Sequence, residues 1–271
     1  MKAARFDYQK PNTLDQALAL LAQGGNGAKV LAGGQSLGPL LNLRLAQPEL
    51  LVDVRGLAAL GGARDDDGDA VVLGAGLTHA AIEDGRAPDP SRGLLPSVAR
   101  GIAYRAVRNR GTLGGSLAHA DPAADWVTAM ALLDATILVR GPGNSERRLP
   151  AAAFVTGPLT TRLSPVEIIV GVRIPRLSTG ARTGYFKFSR KPGEFAEAIA
   201  AVLEDPTRGV RRAVIAPTES APFVVADASP FIDHFDEAAA RGAVAAAGFA
   251  AGTYEHQVRA VALERAAARL R

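Results

Sequence analysis

Lys29-Val30-Leu31-Ala32-Gly33-Gly34-Gln35-Ser36-Leu37 decides the reading: aliphatic residues run into two consecutive glycines, and an apolar segment over 37–45 follows. Residues 29–32 have strand character, and a strand that ends in adjacent glycines offers bare backbone amides to a ligand. A second glycine pair, in Thr112-Leu113-Gly114-Gly115-Ser116, lies much further along. A diphosphate needs several N–H groups converging on it, and side chains would block that approach, so two such loops can clamp a pyrophosphate from opposite sides. Glycines in loops also make simple tight turns, and the residues alone leave both readings open.

Working outward, Thr13-Leu14-Asp15-Gln16 has the spacing of a capping box, and Leu14, Leu18 and Leu21 recur at helical intervals until Gly24-Gly25 supplies a stop. A short opening helix is therefore expected. With a second strand at 50–54, after Pro48, residues 1–55 read as a compact α/β unit. Residues 61–69 read as a turn or hairpin leading to a strand at 70–74, after which Thr78 can cap a helix. Residues 95–104 read as helical and 108–116 as a loop. Asp121-Pro122 is expected to start a helix reaching Leu133, because proline is tolerated in a first turn and an acid complements the helix dipole.

Residues 137–140 and 147–149, joined by Gly141-Pro142-Gly143-Asn144, form an expected hairpin, and Ile168, Val170, Val172 and Ile174 alternate as a strand does. Proline, glycine, serine and threonine gather in 175–184, the expected linker. Beyond it, strands at 185–189, 198–203, 211–216 and 222–225 precede alanine-rich helices at 238–250 and 254–270, although 195–203 fits a helix equally well. The expected class is α+β, with a two-part domain over 1–177, divided at about 55, and a small α+β domain over 178–271.

Composition narrows the chemistry. The 271 residues contain no cysteine, which removes disulfides, thiolate zinc sites, cysteine nucleophiles and iron–sulfur ligation from this polypeptide. His79, His119, His234 and His256 are scattered, so no metal site is expected. The net charge is +4, but the basic residues are spread among acids and leave no basic stripe for nucleic acid. There is no apolar run of membrane-spanning length, and residues 1–10 lack the apolar core and cleavage site of a signal peptide. The chain is expected in the cytoplasm.

Rival motifs are weaker. Gly34-Gln35-Ser36-Leu37-Gly38 fits the G-x-S-x-G nucleophile elbow and makes a serine hydrolase using Ser36 an alternative. In that fold several strands and an oxyanion loop come before the nucleophile, whereas one strand precedes Ser36 here. Gly74-Ala75-Gly76-Leu77-Thr78-His79 begins like a dinucleotide fingerprint but has His79 in place of the third small residue and no acid at the expected distance. It reads as a strand-to-helix turn.

Two longer segments carry a family resemblance. Ala32-Gly33-Gly34-Gln35-Ser36-Leu37, with Leu43-Arg44-Leu45-Ala46 and Pro48 behind it, and Val107-Arg108-Asn109-Arg110-Gly111-Thr112-Leu113-Gly114-Gly115-Ser116-Leu117-Ala118-His119-Ala120-Asp121-Pro122 occur in order. They resemble the medium, FAD-binding subunit of the carbon monoxide dehydrogenase and xanthine dehydrogenase type of molybdenum hydroxylase. The likeness runs from Phe6-Asp7-Tyr8 through Arg190-Lys191-Pro192-Gly193-Glu194-Phe195-Ala196 to the helix near Tyr254.

That resemblance implies a two-part FAD-binding domain of the type 2, PCMH-like kind. Leu31 to Leu37 would hold the pyrophosphate, and Gly111, Thr112, Gly114, Gly115, Ser116 and Ala118 would complete the clamp. Ile102, Ala103 and Val107 would lie beside the cofactor, and Asp121 and Asp125 would accept hydrogen bonds from ribityl or ribose hydroxyls. Leu163 and Lys187 would lie near the isoalloxazine ring, where a cation favours a negatively charged reduced flavin. Ser116 stands where asparagine is usual, and Glu194 where aspartate is common.

The implied role is electron transfer. FAD on this chain would take electrons from [2Fe-2S] clusters on a small subunit, supplied by a molybdenum cofactor on a large one, in a dimer of heterotrimers. A free-standing flavin oxidoreductase of the same superfamily is the alternative within flavoproteins.

Overall fold

The computed structural model describes residues 2–270. Thr13 sets the first helix: its hydroxyl accepts the Gln16 N–H at 3.2 Å, while the Gln16 side chain accepts the Asn12 N–H at 2.9 Å. The expected capping box thus forms with its return bond one residue upstream. This helix, α1 (Leu14–Gly24), buries Ala17, Leu18 and Leu21. It covers a parallel sheet in the order β1 (Asp7–Gln9), β3 (Leu50–Asp53), β2 (Ala28–Leu31), with the short α2 (Leu37–Asn42) between β2 and β3.

A second, antiparallel sheet has the order β4 (Ala63–Asp66), β5 (Ala70–Gly74), β10 (Ile168–Pro175), β6 (Thr136–Arg140), β7 (Glu146–Pro150). The 141–144 turn joins β6 to β7 as the sequence suggests. A small hairpin, β8 (Val155–Gly157) and β9 (Thr160–Thr161), stands apart. Five helices fill the excursion between β5 and β6: α3 (His79–Glu83), α4 (Leu94–Arg100), α5 (Arg105–Arg108), α6 (Leu113–His119) and α7 (Asp125–Leu132). Every residue of α7 is buried, with Trp126 at 0% exposure.

Three helical expectations shift, the first being the helix over 95–104, which ends at Arg100. Residues 108–116 are not one loop, since α6 begins inside them at Leu113. The helix expected at Asp121 begins at Asp125, because Asp121 Oδ1 accepts the Ala123 N–H at 2.9 Å and folds its own segment into an Asx turn.

The third sheet, β11 (Arg182–Phe188), β12 (Ala198–Asp205), β13 (Val210–Ala216), β14 (Phe223–Val225), is an antiparallel meander. The ambiguous 195–203 stretch is therefore strand from Ala198 onward. Helices α8 (Ser229–Ile232), α9 (Glu237–Ala246) and α10 (Tyr254–Ala267) follow, and α10 lies along β11 and β12. Two large hydrophobic clusters form, one on the second sheet and its helices and one between the third sheet and α8 to α10. A smaller cluster joins α1 and the first sheet to Ile168. The class is α+β.

Candidate functional site

Gly33 leaves the end of β2 buried, and the reason is direct. A Cβ placed on it would lie 2.1 Å from the Arg110 carbonyl oxygen and 2.8 Å from Gly111 Cα. Only glycine lets these backbones touch. The space expected to be kept for a ligand at Gly33 is thus filled by the second glycine segment, and the two motifs form one contact.

The two loops differ in what their amides do. At the start of α6, Leu113 donates to the Leu77 carbonyl at 2.9 Å and Gly114 to that of Ala75 at 2.8 Å. Gly115 donates to the Thr112 hydroxyl at 3.0 Å and Ser116 to the Thr112 carbonyl at 3.0 Å. The second loop is therefore anchored to the Gly74–Thr78 turn, which the structure confirms as a strand-to-helix turn with Thr78 capping α3. In the first loop, among the described residues, no group of the chain accepts from the backbone N–H of Gly33, Gly34, Gln35 or Ser36. Unpaired main-chain donors in succession call for an outside acceptor, and an anion satisfies several at once.

Both loops wall a cavity of about 530 Å³ that also takes in residues of the first and second sheets. Of the residues expected at the site, Ala32, Gly33, Thr112, Gly114, Gly115, Ala118 and Leu163 line it. Val54, Leu57, Leu60, Ile168 and Ile169 give it an apolar wall, and Lys10, Arg55 and Arg110 bring cations to it. Asp53 fixes Arg55 by two bonds, at 2.9 and 2.6 Å, while Tyr8 donates to the same carboxylate. The Arg55 guanidinium holds the Asp53 carboxyl well below the ordinary range, with burial opposing. An apolar slot, free amides and cations together suit a ligand with a flat apolar part and a phosphate-bearing part.

The three cations were not singled out by sequence. Arg110 precedes Gly111 and Lys10 precedes Pro11, but no spacing marks a cation that faces a cavity rather than solvent. Leu31, Gly34, Gln35, Ser36 and Leu37 belong to the first loop without lining the cavity, and the Gln35 side chain donates to the Gly33 carbonyl at 3.0 Å. Ser36 has relaxed helical angles, φ −101° and ψ −47°, and among the described residues no histidine bonds to it. The strained geometry of a nucleophile elbow is missing.

The remaining expected residues lie off the cavity wall. Ile102 and Ala103 are held through their carbonyls by Arg108, at 2.9 and 2.8 Å, and Arg108 pairs with Glu83 at 2.7 Å. Val107 lies on α5, and its carbonyl accepts the Gly111 N–H at 2.7 Å. Ser116 is carried by α6, and Asp121 makes the Asx turn described above. Asp125 and Lys187 meet each other: Lys187 Nζ is 2.8 Å from Asp125 Oδ2, and Tyr185 donates to Oδ1 at 2.7 Å. Burial raises the Asp125 carboxyl against the pull of Lys187, and burial also pushes Tyr185 well above its usual value. Beside Asp125, Trp126 Nε1 donates to His79 Nδ1 at 3.0 Å, which fixes a neutral ring with its proton on Nε2. Burial, and secondarily the Arg108 charge, lower His79 from 6.5 to about 4.

Comparison with known proteins gives this arrangement its family. The family described as the FAD binding domain in molybdopterin dehydrogenase matches residues 4–177. The medium chain of carbon monoxide dehydrogenase from Hydrogenophaga pseudoflava is 40% identical over 204 residues, 73% of this chain and 69% of that one. The alpha subunit of the 6-hydroxypseudooxynicotine dehydrogenase complex from Paenarthrobacter nicotinovorans is 38% identical over 196 residues, 72% of this chain and 66% of the relative. A solved structure of Hydrogenophaga pseudoflava carbon monoxide dehydrogenase lacking the Mo-pyranopterin moiety of the molybdenum cofactor superposes with a TM-score of 0.87 at 31% identity, covering 100% of both chains. The chain belongs to the family of FAD-binding medium subunits of molybdenum hydroxylases, which are FAD-dependent oxidoreductase subunits.

Proposed function

We propose that this chain is the electron relay of a heterotrimeric molybdenum hydroxylase in the cytoplasm, working beside a molybdenum-cofactor large subunit and a [2Fe-2S] small subunit in a dimer of heterotrimers. The observation that carries the reading is the run of unpaired amides from Gly33 to Ser36, whose first residue, Gly33, lines an apolar cavity. FAD held there would supply the redox chemistry of the relay. The absence of cysteine from this chain suits that division, because iron–sulfur ligation then falls to a partner.

The protein's own work is binding and orientation. The first-loop amides would hold the pyrophosphate, with Arg110, Arg55 and Lys10 adding positive charge and the apolar wall accepting a flat ring system. Because the second loop's amides are engaged with Leu77, Ala75 and Thr112, its part is that of a wall and of the Thr112 hydroxyl. Ile102, Ala103, Leu163 and Lys187 would frame the flavin end, with Asp121 and Asp125 toward its hydroxyls. In this reading 1–177 would serve cofactor binding, in two parts divided near 55, and 178–271 would form a second domain.

Flavin, iron and molybdenum content of the purified complex tests the reading. Stoichiometric flavin on this subunit, with iron and molybdenum on its partners, is the expected result. Turnover of an organic substrate by the isolated subunit would overturn the relay role in favour of a free-standing oxidoreductase.

A further inference from the structure

A second, smaller cavity of about 160 Å³ is lined by four arginines, Arg64, Arg140, Arg147 and Arg148, against one carboxylate, Glu146. It is separate from the cofactor cavity, with no lining residue in common. Arg64 comes from β4 and Arg148 from β7, the two outer strands of the second sheet, and both line the cavity. Arg140 pairs with Glu146, and Arg147 is taken by Glu167 at 2.8 Å. Among the described residues Arg64 and Arg148 have no carboxylate partner, and both are exposed.

Glu146 and Glu167 compensate Arg140 and Arg147, whereas the guanidinium groups of Arg64 and Arg148 stay charged at every accessible pH and leave the concavity positive unless an anion joins them. Their planar donor forks match the oxygens of a phosphate group, and the volume is several times what one water needs but too small for a nucleotide. We propose that this cavity binds a small phosphate oxyanion, held by Arg64 and Arg148 beside the Arg140–Glu146 pair. The two cavities are bordered by neighbouring residues. Arg147 borders the small cavity while its partner Glu167 lines the large one, and on β10 Ile169 faces the large cavity while the adjacent Val170 borders the small one.

Calorimetric titration with inorganic phosphate at low ionic strength, in excess FAD to keep phosphate out of the larger cavity, tests the site. One phosphate per chain is expected, weakened at least about tenfold in the Arg64→Ala/Arg148→Ala double variant, because two charge-assisted partners are removed. The thermal midpoint and flavin content of that variant should match the parent. Repeating the titration with ribose 5-phosphate separates sources: tighter binding than inorganic phosphate assigns the site to an organic ester, and equal or weaker binding to the free ion. Absence of binding, or equal affinity in the double variant, overturns the proposal.

Discussion

Lys187 Nζ lies 2.8 Å from Asp125 Oδ2, and this one ion pair ties the first turn of α7 to the opening strand of the third sheet. Tyr185, two residues away on the same strand, holds the other carboxylate oxygen. The side chains are 12% and 5% exposed, so neither charge has much water to fall back on.

Removing both partners should cost less than the two single removals added together. Asp125→Asn leaves a buried ammonium facing a neutral amide and is expected to lower stability by about 3 kcal/mol. In the double variant Asp125→Asn/Lys187→Met no uncompensated charge remains, and urea unfolding should give a loss at least about 1 kcal/mol smaller than the sum of the single losses. Additive losses would mean that the two groups do not act as a pair.

Lys187 also bears on the proposed flavin. If its ammonium lies near the ring, Lys187→Met should lower the flavin reduction potential by about 30 mV, equivalent to roughly 1.4 kcal/mol for a two-electron couple. Lys187→Arg should restore most of the shift. A spectroelectrochemical titration with an unchanged midpoint would remove the electrostatic role.

Two neighbouring glycines should respond in opposite ways. At Gly33 a side chain must displace the Arg110 carbonyl, so Gly33→Val is expected to empty the protein of flavin and to destabilise it by about 2 kcal/mol or more. Gly38, in α2, has nothing within 4 Å of the Cβ position. There Gly38→Ala should raise stability by about 0.5–1 kcal/mol and leave flavin content unchanged. Flavin retention by folded Gly33→Val would contradict the placement of the loop contact at the cofactor site.

His79 makes the fold sensitive to acid. Its folded value of about 4 lies below the ordinary 6.5, so its buried neutral ring contributes stability that is complete above pH 6.5 and is lost as the pH falls toward 4. The loss is about 3 kcal/mol across that window. In His79→Asn, whose amide oxygen can still accept from Trp126, urea midpoints between pH 7 and pH 4.5 should decline less steeply than in the parent. Parallel declines would assign the acid sensitivity to other groups.

Where side chains alternate or cap, the fold was legible. Ile168 to Ile174 gave the central strand of the second sheet, and Thr13 and Thr78 gave helix starts that their hydroxyl bonds bear out. Every residue of β12 is buried, so its sequence carries no period to separate strand from helix. Asp121 misled because an aspartate before proline serves an Asx turn as readily as a cap. At the site, the glycine pairs were visible but their mutual contact was not, since sequence spacing says nothing of which backbone fills the room a missing side chain leaves. The pairing of Asp125 with Tyr185 and Lys187 was likewise hidden, because it depends on how the third sheet docks against α7.

The touching backbones of Gly33 and Arg110 have a consequence for chimeras between relatives. A graft that replaces the first loop alone would set a foreign turn against a resident carbonyl at a point with no slack, whereas exchanging residues 29–37 and 107–119 together transfers an intact joint. Inheritance of the two segments should therefore be linked, with the second changing whenever the first does.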